Sequence, residues 1–110
     1  MADQAADLST LLTDVVARVG SDLHLIHGIP PIARIGGEIG ALPYPSMTSD
    51  SIFKMLEPCL NDVHRQNLKT ELRVNFSGTI PDVGRFRFNL YMATGTVGAT
   101  IRVIPTKTYP

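Results

Sequence analysis

Two arginines, Arg87 in Arg85-Phe86-Arg87-Phe88-Asn89 and Arg102 in Ile101-Arg102-Val103-Ile104-Pro105, have the side-chain type and the spacing to grip an anion. If Phe86 to Met92 and Val97 to Val103 pair antiparallel around Thr94-Gly95, one face matches Phe86 with Val103, Phe88 with Ile101, Leu90 with Ala99 and Met92 with Val97. Every one of those pairs is apolar. Side chains alternate with period two, so the same register sets Arg87 opposite Arg102 on the other face. Like charges directly opposite destabilise a sheet by roughly 0.2–1 kcal/mol. A phosphate or carboxylate between them would turn that cost into a two-pronged, charge-assisted clamp. The competing reading is two solvated surface arginines with carboxylate neighbours, and geometry alone leaves both open.

Other chemistry is poorly supported. Asp22, His24 and His27 are the nearest approach to a metal cluster, with Asp22 and His24 on one strand face, but three candidate ligands in six residues read more simply as an acid–imidazole pair beside a turn. No metal site is expected. Ser21, Asp22 and His24 lie along one strand, where alternate side chains stand roughly 7 Å apart, too far for a serine–histidine relay. Cys59 follows Pro58 between apolar helical segments and reads as a packed thiol, and Phe53, Met55 and Leu56 read as a core stripe. No glycine-rich segment ends in the Gly-Lys-Ser/Thr of a phosphate-binding loop, and Gly95-Thr96-Val97-Gly98 lacks both spacing and lysine, so no catalytic residue and no unaided nucleotide hydrolysis are expected of this chain.

The elements that must position the arginines follow from the pattern. Leu8, Leu11, Leu12, Val15, Val16 and Val19 recur at helical spacing, with Gly20 placed to stop the helix. Ser21 to Leu25 alternates as a strand, and Gly28-Ile29-Pro30-Pro31 forces an extended turn into a short strand, Ile32 to Ile35. Gly36-Gly37 turns the chain, and Glu38 to Leu42 returns. Thr48 caps a helix carrying Ile52, Phe53, Met55 and Leu56, which Pro58 interrupts or ends, and Asn61 caps another running to about Thr70. Leu72, Val74 and Phe76 alternate with Arg73, Asn75 and Ser77 as a fourth strand, and Pro81-Asp82-Val83-Gly84 turns into the arginine hairpin. The expected fold class is α+β and PAS-like: a mostly antiparallel sheet of about six strands with helices covering one face. Its open face would carry Arg85, Arg87, Asn89, Tyr91, Arg102, Asn75 and Ser77.

Composition sets the limits. The chain has 110 residues, 44% of them hydrophobic, with 10 basic and 10 acidic residues, so a single domain over residues 1–110 is expected and broad attraction to nucleic acid or an anionic membrane is not. Cys59 is the only cysteine, which excludes an internal disulfide and agrees with a reducing compartment. Asp3 and Asp7, with no cationic or sustained apolar run beside them, give the expectation of neither a signal peptide nor membrane insertion.

Ser21-Asp22-Leu23-His24-Leu25, then Gly28-Ile29-Pro30-Pro31-Ile32-Ala33-Arg34 with Gly37 following, then Gly84-Arg85-Phe86-Arg87-Phe88-Asn89, then Ile101-Arg102-Val103-Ile104-Pro105, resemble in order and spacing the successive signatures of PilT-type pilus retraction ATPases. The resemblance runs from about Leu8 to Pro105 and implies the amino-terminal PAS-like domain of that family, with the RecA-like ATPase domain expected beyond Pro105. It implies a parent that is an ATPase acting in type IV pilus retraction and twitching motility, cytoplasmic and peripheral to the inner membrane. It also implies a homohexameric ring in which this domain meets the RecA-like domains of its own and neighbouring subunits, and an inner-membrane platform as partner. ATP and Mg belong to that parent; no cofactor is expected on this chain alone. The positions matching the family's phosphate-contacting arginines are Arg87 and Arg102, with Arg85 as a third, while Asp22, His24, Pro30, Pro31 and Arg34 match a structural or interface motif in which the Asp–His pair would hold the Gly-Pro-Pro turn. The pattern departs where Arg73 and Asn75 stand in place of the family's acidic residues, removing charges that would balance Arg87.

Two rival functions make different demands. A free-standing PAS-like sensor needs a cavity between sheet and helices. An RNA-binding sheet needs Phe86 and Phe88 exposed for base stacking.

Overall fold

The first helix, α1 (Leu8–Ala17), begins where Asp7 caps it, its carboxylate accepting from Thr10 N at 2.8 Å, and it buries Leu8, Leu11, Leu12 and Val15. The computed structural model describes residues 7–105; Asp3 lies outside them. Val16 and Val19, counted in the same apolar stripe, are exposed instead, Val19 at 85%. The helix ends one residue earlier than Gly20 suggests, because Val19 itself takes the left-handed conformation (φ 58°). Gly20 serves a different need: a Cβ there would stand 2.8 Å from Val15 Cγ1 and 3.1 Å from Arg34 O, so only glycine lets β1 (Gly20–Leu25) pass this close under α1.

β2 (Ile32–Ile35) and β3 (Glu38–Ala41) form a hairpin through Gly36 and Gly37, both at positive φ. α2 (Ser49–Leu56) starts at a reciprocal Thr48–Ser51 capping box, and Pro58 sits in a short 3-10 turn (Glu57–Cys59). A second capping box, Asn61 with His64, opens α3 (Asp62–Glu71). Leu72, expected as the first inward residue of the fourth strand, is instead the left-handed residue that closes α3 (φ 63°), more than half exposed. Its carbonyl still accepts from Met92 N at 3.0 Å, so the sheet captures its backbone while its side chain faces away from the core. β4 (Arg73–Ile80) therefore begins one residue later than its apolar pattern.

β4, β5 (Gly84–Ala93) and β6 (Thr96–Ile104) make the meander, joined by Pro81–Val83 and by Thr94-Gly95, the latter pair at φ 49° and 80° as a tight hairpin turn requires. All six strands are antiparallel in the order β3-β2-β1-β6-β5-β4, an α+β, PAS-like arrangement with the first and last strands adjacent at the centre. The hairpin register is the one the apolar pairs require, with Phe86 opposite Val103, Phe88 opposite Ile101, Leu90 opposite Ala99 and Met92 opposite Val97. The helices cover this face: Leu11, Leu12, Val15, Ile52 and Leu56 are fully buried with Leu23, Leu25, Phe86, Phe88, Leu90 and Ile101. Each such side chain contributes roughly 1.5–3 kcal/mol relative to exposure. That packing leaves the opposite face to solvent and holds its side chains in fixed register.

Candidate functional site: an arginine rung on the open face

Adjacent strands bring five side chains onto one line across the sheet. Arg34 on β2 pairs with Asp22 on β1, Asp22 with Arg102 on β6, Arg102 with Arg87 on β5, and Arg87 with Ser77 on β4. The neighbouring rungs add Arg85, opposite Thr79 and Ile104, and the row of His24, Thr100, Asn89 and Asn75. Three guanidinium groups thus share a rung with one carboxylate.

Asp22 is only 6% exposed, and among the described residues it is the buried charged side chain. Its Oδ1 accepts from Arg102 Nε at 2.9 Å, and its Oδ2 accepts from Ser21 Oγ at 2.9 Å and lies 3.7 Å from Arg34 Nε. Burial pushes the Asp22 carboxyl up, but the hydrogen bonds from Arg102 and Ser21, with the nearby charges of Arg102 and His24, outweigh it and hold the group below the usual carboxylate range. Arg34 is anchored a second time through Nη1, which donates to Gly37 O at 3.2 Å. Arg102 keeps its Nη groups in solvent, its side chain being 66% exposed.

Arg87 differs. It is exposed and makes no hydrogen bond or ion pair to the described residues. Its cross-strand neighbours are Arg102 and Ser77, and the diagonal positions on β4 and β6 are Asn75, Thr79, Thr100 and Ile104, none of them acidic. With Asn75 and no acid at these positions, Arg87 is uncompensated among the described residues. Arg85 makes one long contact, Nη1 to Thr79 Oγ1 at 3.5 Å. The pair thus divides the two readings of the sequence: Arg102 has the carboxylate neighbour of an ordinary surface arginine, and Arg87 has none.

The structural motif works differently from expectation. Asp22 and His24 do share a face, but their partners lie across the sheet: His24 Nδ1 is 3.4 Å from Thr100 Oγ1, and Asp22 serves the arginines. The turn is held by its own backbone and by His27. Gly28 N donates to Met47 O at 2.7 Å, Met47 N to Ile29 O at 3.0 Å and Leu42 N to Pro31 O at 2.8 Å, while His27 Nδ1 accepts from Ser49 N at 2.9 Å. Pro31 is buried and Pro30 half-buried at the entry to β2, so these two serve the loop.

Phe86 and Phe88 are 0% and 1% exposed, which removes the stacking platform an RNA-binding sheet needs. The centre of the space where a sensor would hold its ligand is filled by Leu11, Leu12, Ile52, Leu56, Phe86 and Phe88, and a cleft between the sheet and the third helix, lined by Cys59, His64, Phe76 and Phe88, opens at the β4 edge. Burial pushes the Cys59 thiol up, as fits a packed, unreactive group. Among the described residues no three His, Cys, Asp or Glu side chains converge, and no helix is long and apolar enough to cross a membrane.

No family model matches the chain. Among curated proteins it is 32% identical over 101 residues to the type IV pilus retraction ATPase PilT of Pseudomonas aeruginosa, covering 92% of this chain and 29% of that protein. It is 30% identical over 98 residues to a twitching motility protein of Neisseria gonorrhoeae, covering 89% of this chain and 26% of that protein. The chain therefore spans less than a third of the length of these relatives. Among solved structures, the pilus retraction motor PilT with bound ADP superimposes with a TM-score of 0.86 at 31% identity, covering 93% of this chain and 30% of that one. The ATPase DotB of Legionella pneumophila, at TM-score 0.72 and 17% identity over 94% of this chain and 31% of that one, shares the fold.

Proposed function

We propose that this chain, which has the sequence and fold of a PilT-type amino-terminal domain, presents Arg87 to the phosphates of a nucleotide held by a separate ATPase domain, with Arg102 and Arg85 beside it. The reading rests most heavily on one observation: Arg87 stands on a rigid, exposed strand position next to a second arginine, with no carboxylate at any adjoining position. For Arg87, a like-charged neighbour and no counter-ion of its own are a standing electrostatic cost, which an anion supplied from outside relieves.

In this reading the chain carries no catalytic residue. The parent is a hexameric ATPase that powers type IV pilus retraction at the cytoplasmic side of the inner membrane, working against a membrane platform, and the open sheet face meets the RecA-like domain of its own or a neighbouring subunit. Mg2+ accompanies ATP on that other domain, because the six strands here carry one carboxylate on the open face and Asp22 is engaged with Arg102, Ser21 and Arg34. Arg87 and Arg102 are drawn to the charge of a γ-phosphate, which keeps the domain closed on the nucleotide; loss of that charge lets the domain rotate away as a rigid body. Preformed donors are effective here because the sheet register already fixes them.

The test is the steady-state kinetics of the complete ATPase. Arg87→Ala should depress turnover by roughly 10³-fold, by analogy with arginine fingers, while moving nucleotide KM far less. Unchanged turnover would end the phosphate role.

A further inference from the structure

Arg102 and Arg87 are adjacent, yet only one of them is compensated, and the compensating group is an unusual one. Asp22 is buried and central, sits between arginines from both flanking strands, and spends its Oδ1 on Arg102 Nε. A guanidinium has five N–H donors, so that bond leaves the Nη donors of Arg102 free for a second anion. An anion on Arg102 nevertheless meets a negative charge beside it, because the Asp22 carboxylate already stands 2.9 Å from Arg102 Nε, whereas Arg87 lies two strands from Asp22. Close to Arg102 that repulsion persists in water, while at the distance of Arg87 it is largely screened.

Building on the phosphate-contact reading above, we infer that Asp22 sets the anion affinity of the arginine face: its internal carboxylate engages Arg102 and so weakens the grip of the Arg87–Arg102 pair on a polyphosphate. Asp22 touches neither nucleotide nor phosphate. It acts through Arg102.

The experiment uses this chain, inorganic tripolyphosphate as the probe, low ionic strength, and the 15N-resolved Nε–H signals of the arginine side chains. In the unmodified chain the Arg87 signal moves with weak affinity and the Arg102 signal moves less. Asp22→Asn keeps an oxygen to accept from Arg102 Nε but removes the charge. It should tighten binding about threefold or more, with Arg102 now responding as far as Arg87. If Asp22→Asn binds no more tightly while Arg87→Ala still abolishes binding, the role of Asp22 is wrong and the phosphate-contact reading stands. If neither chain shows binding that depends on Arg87, both fall. Should Asp22→Asn fail to fold, the unmodified chain still decides: an Arg102 signal that moves as far as that of Arg87 overturns the inference.

Discussion

Arg102 Nε lies 2.9 Å from Asp22 Oδ1, although 80 residues separate the two in sequence. That bond makes the two arginines of the hairpin unequal. Arg102 is part of the sheet's internal charge balance, and Arg87, one strand further, is outside it.

The inequality has a stability signature. Arg87→Ala should leave the chain within about 0.5 kcal/mol of its parent, since it removes an exposed side chain facing a like charge. From sequence alone both substitutions look equally harmless, but Arg102→Ala strips a hydrogen bond from the buried Asp22 carboxylate. It should cost about 1–2 kcal/mol, held down by the exposure of Arg102. Urea midpoints at neutral pH check both; equal midpoints for the two variants would contradict the pairing.

Acid titration isolates Asp22. Its folded carboxyl lies below the usual range, so its contribution to stability is present above the unfolded value of about 3.9 and is lost as pH falls through the lower folded value. Asp14, hydrogen-bonded by Arg18, and Asp7, capping α1, are shifted the same way and weaken over the same window. The informative quantity is therefore a difference. Asp22→Asn should melt below its parent at pH 7, and the gap should close as pH falls below about 4. A gap independent of pH would mean that the carboxylate charge does not stabilise the fold.

The end of α1 offers a paired test. Val19 is a β-branched residue in the left-handed region, so Val19→Gly should stabilise by about 1 kcal/mol. Gly20→Ala forces a Cβ against Val15 and the Arg34 carbonyl and should cost about 1–3 kcal/mol. Thermal unfolding of the two variants should move in opposite directions. Parallel shifts would contradict either the strain at Val19 or the close approach at Gly20.

These contrasts also mark what the sequence could convey. Turn chemistry and apolar pairing are local, so Gly36-Gly37, Thr94-Gly95 and the alternation around Phe86 and Phe88 were enough to place two hairpins and the facing of Arg87 and Arg102. Capping residues Thr48 and Asn61 were legible for the same reason. The adjacency of β1 and β6 was not, because nothing within either strand names a partner so distant in sequence, and without it Asp22 reads as a companion of His24. The helix stop at Gly20 and the place of Leu72 in the fourth strand are not legible locally, because a close backbone approach at Gly20, and a left-handed Leu72 whose carbonyl is captured by Met92, outweigh the local preference for glycine and for alternation. One signal was available: an aspartate on a central alternating strand needs a hydrogen-bonding partner of opposite charge, and arginine is the residue best shaped to supply it.

The contact between Arg87 and a phosphate is the claim on which the functional reading turns, and it is open to direct observation. The Arg87 Nε–H resonance of the 15N-labelled chain should be followed on adding the PilT-type ATPase domain loaded with a slowly hydrolysed ATP analogue, and again with ADP. The expected result is a displaced, solvent-protected Arg87 signal with the triphosphate that relaxes toward its free position with ADP. An Arg87 signal identical in the two states would contradict it.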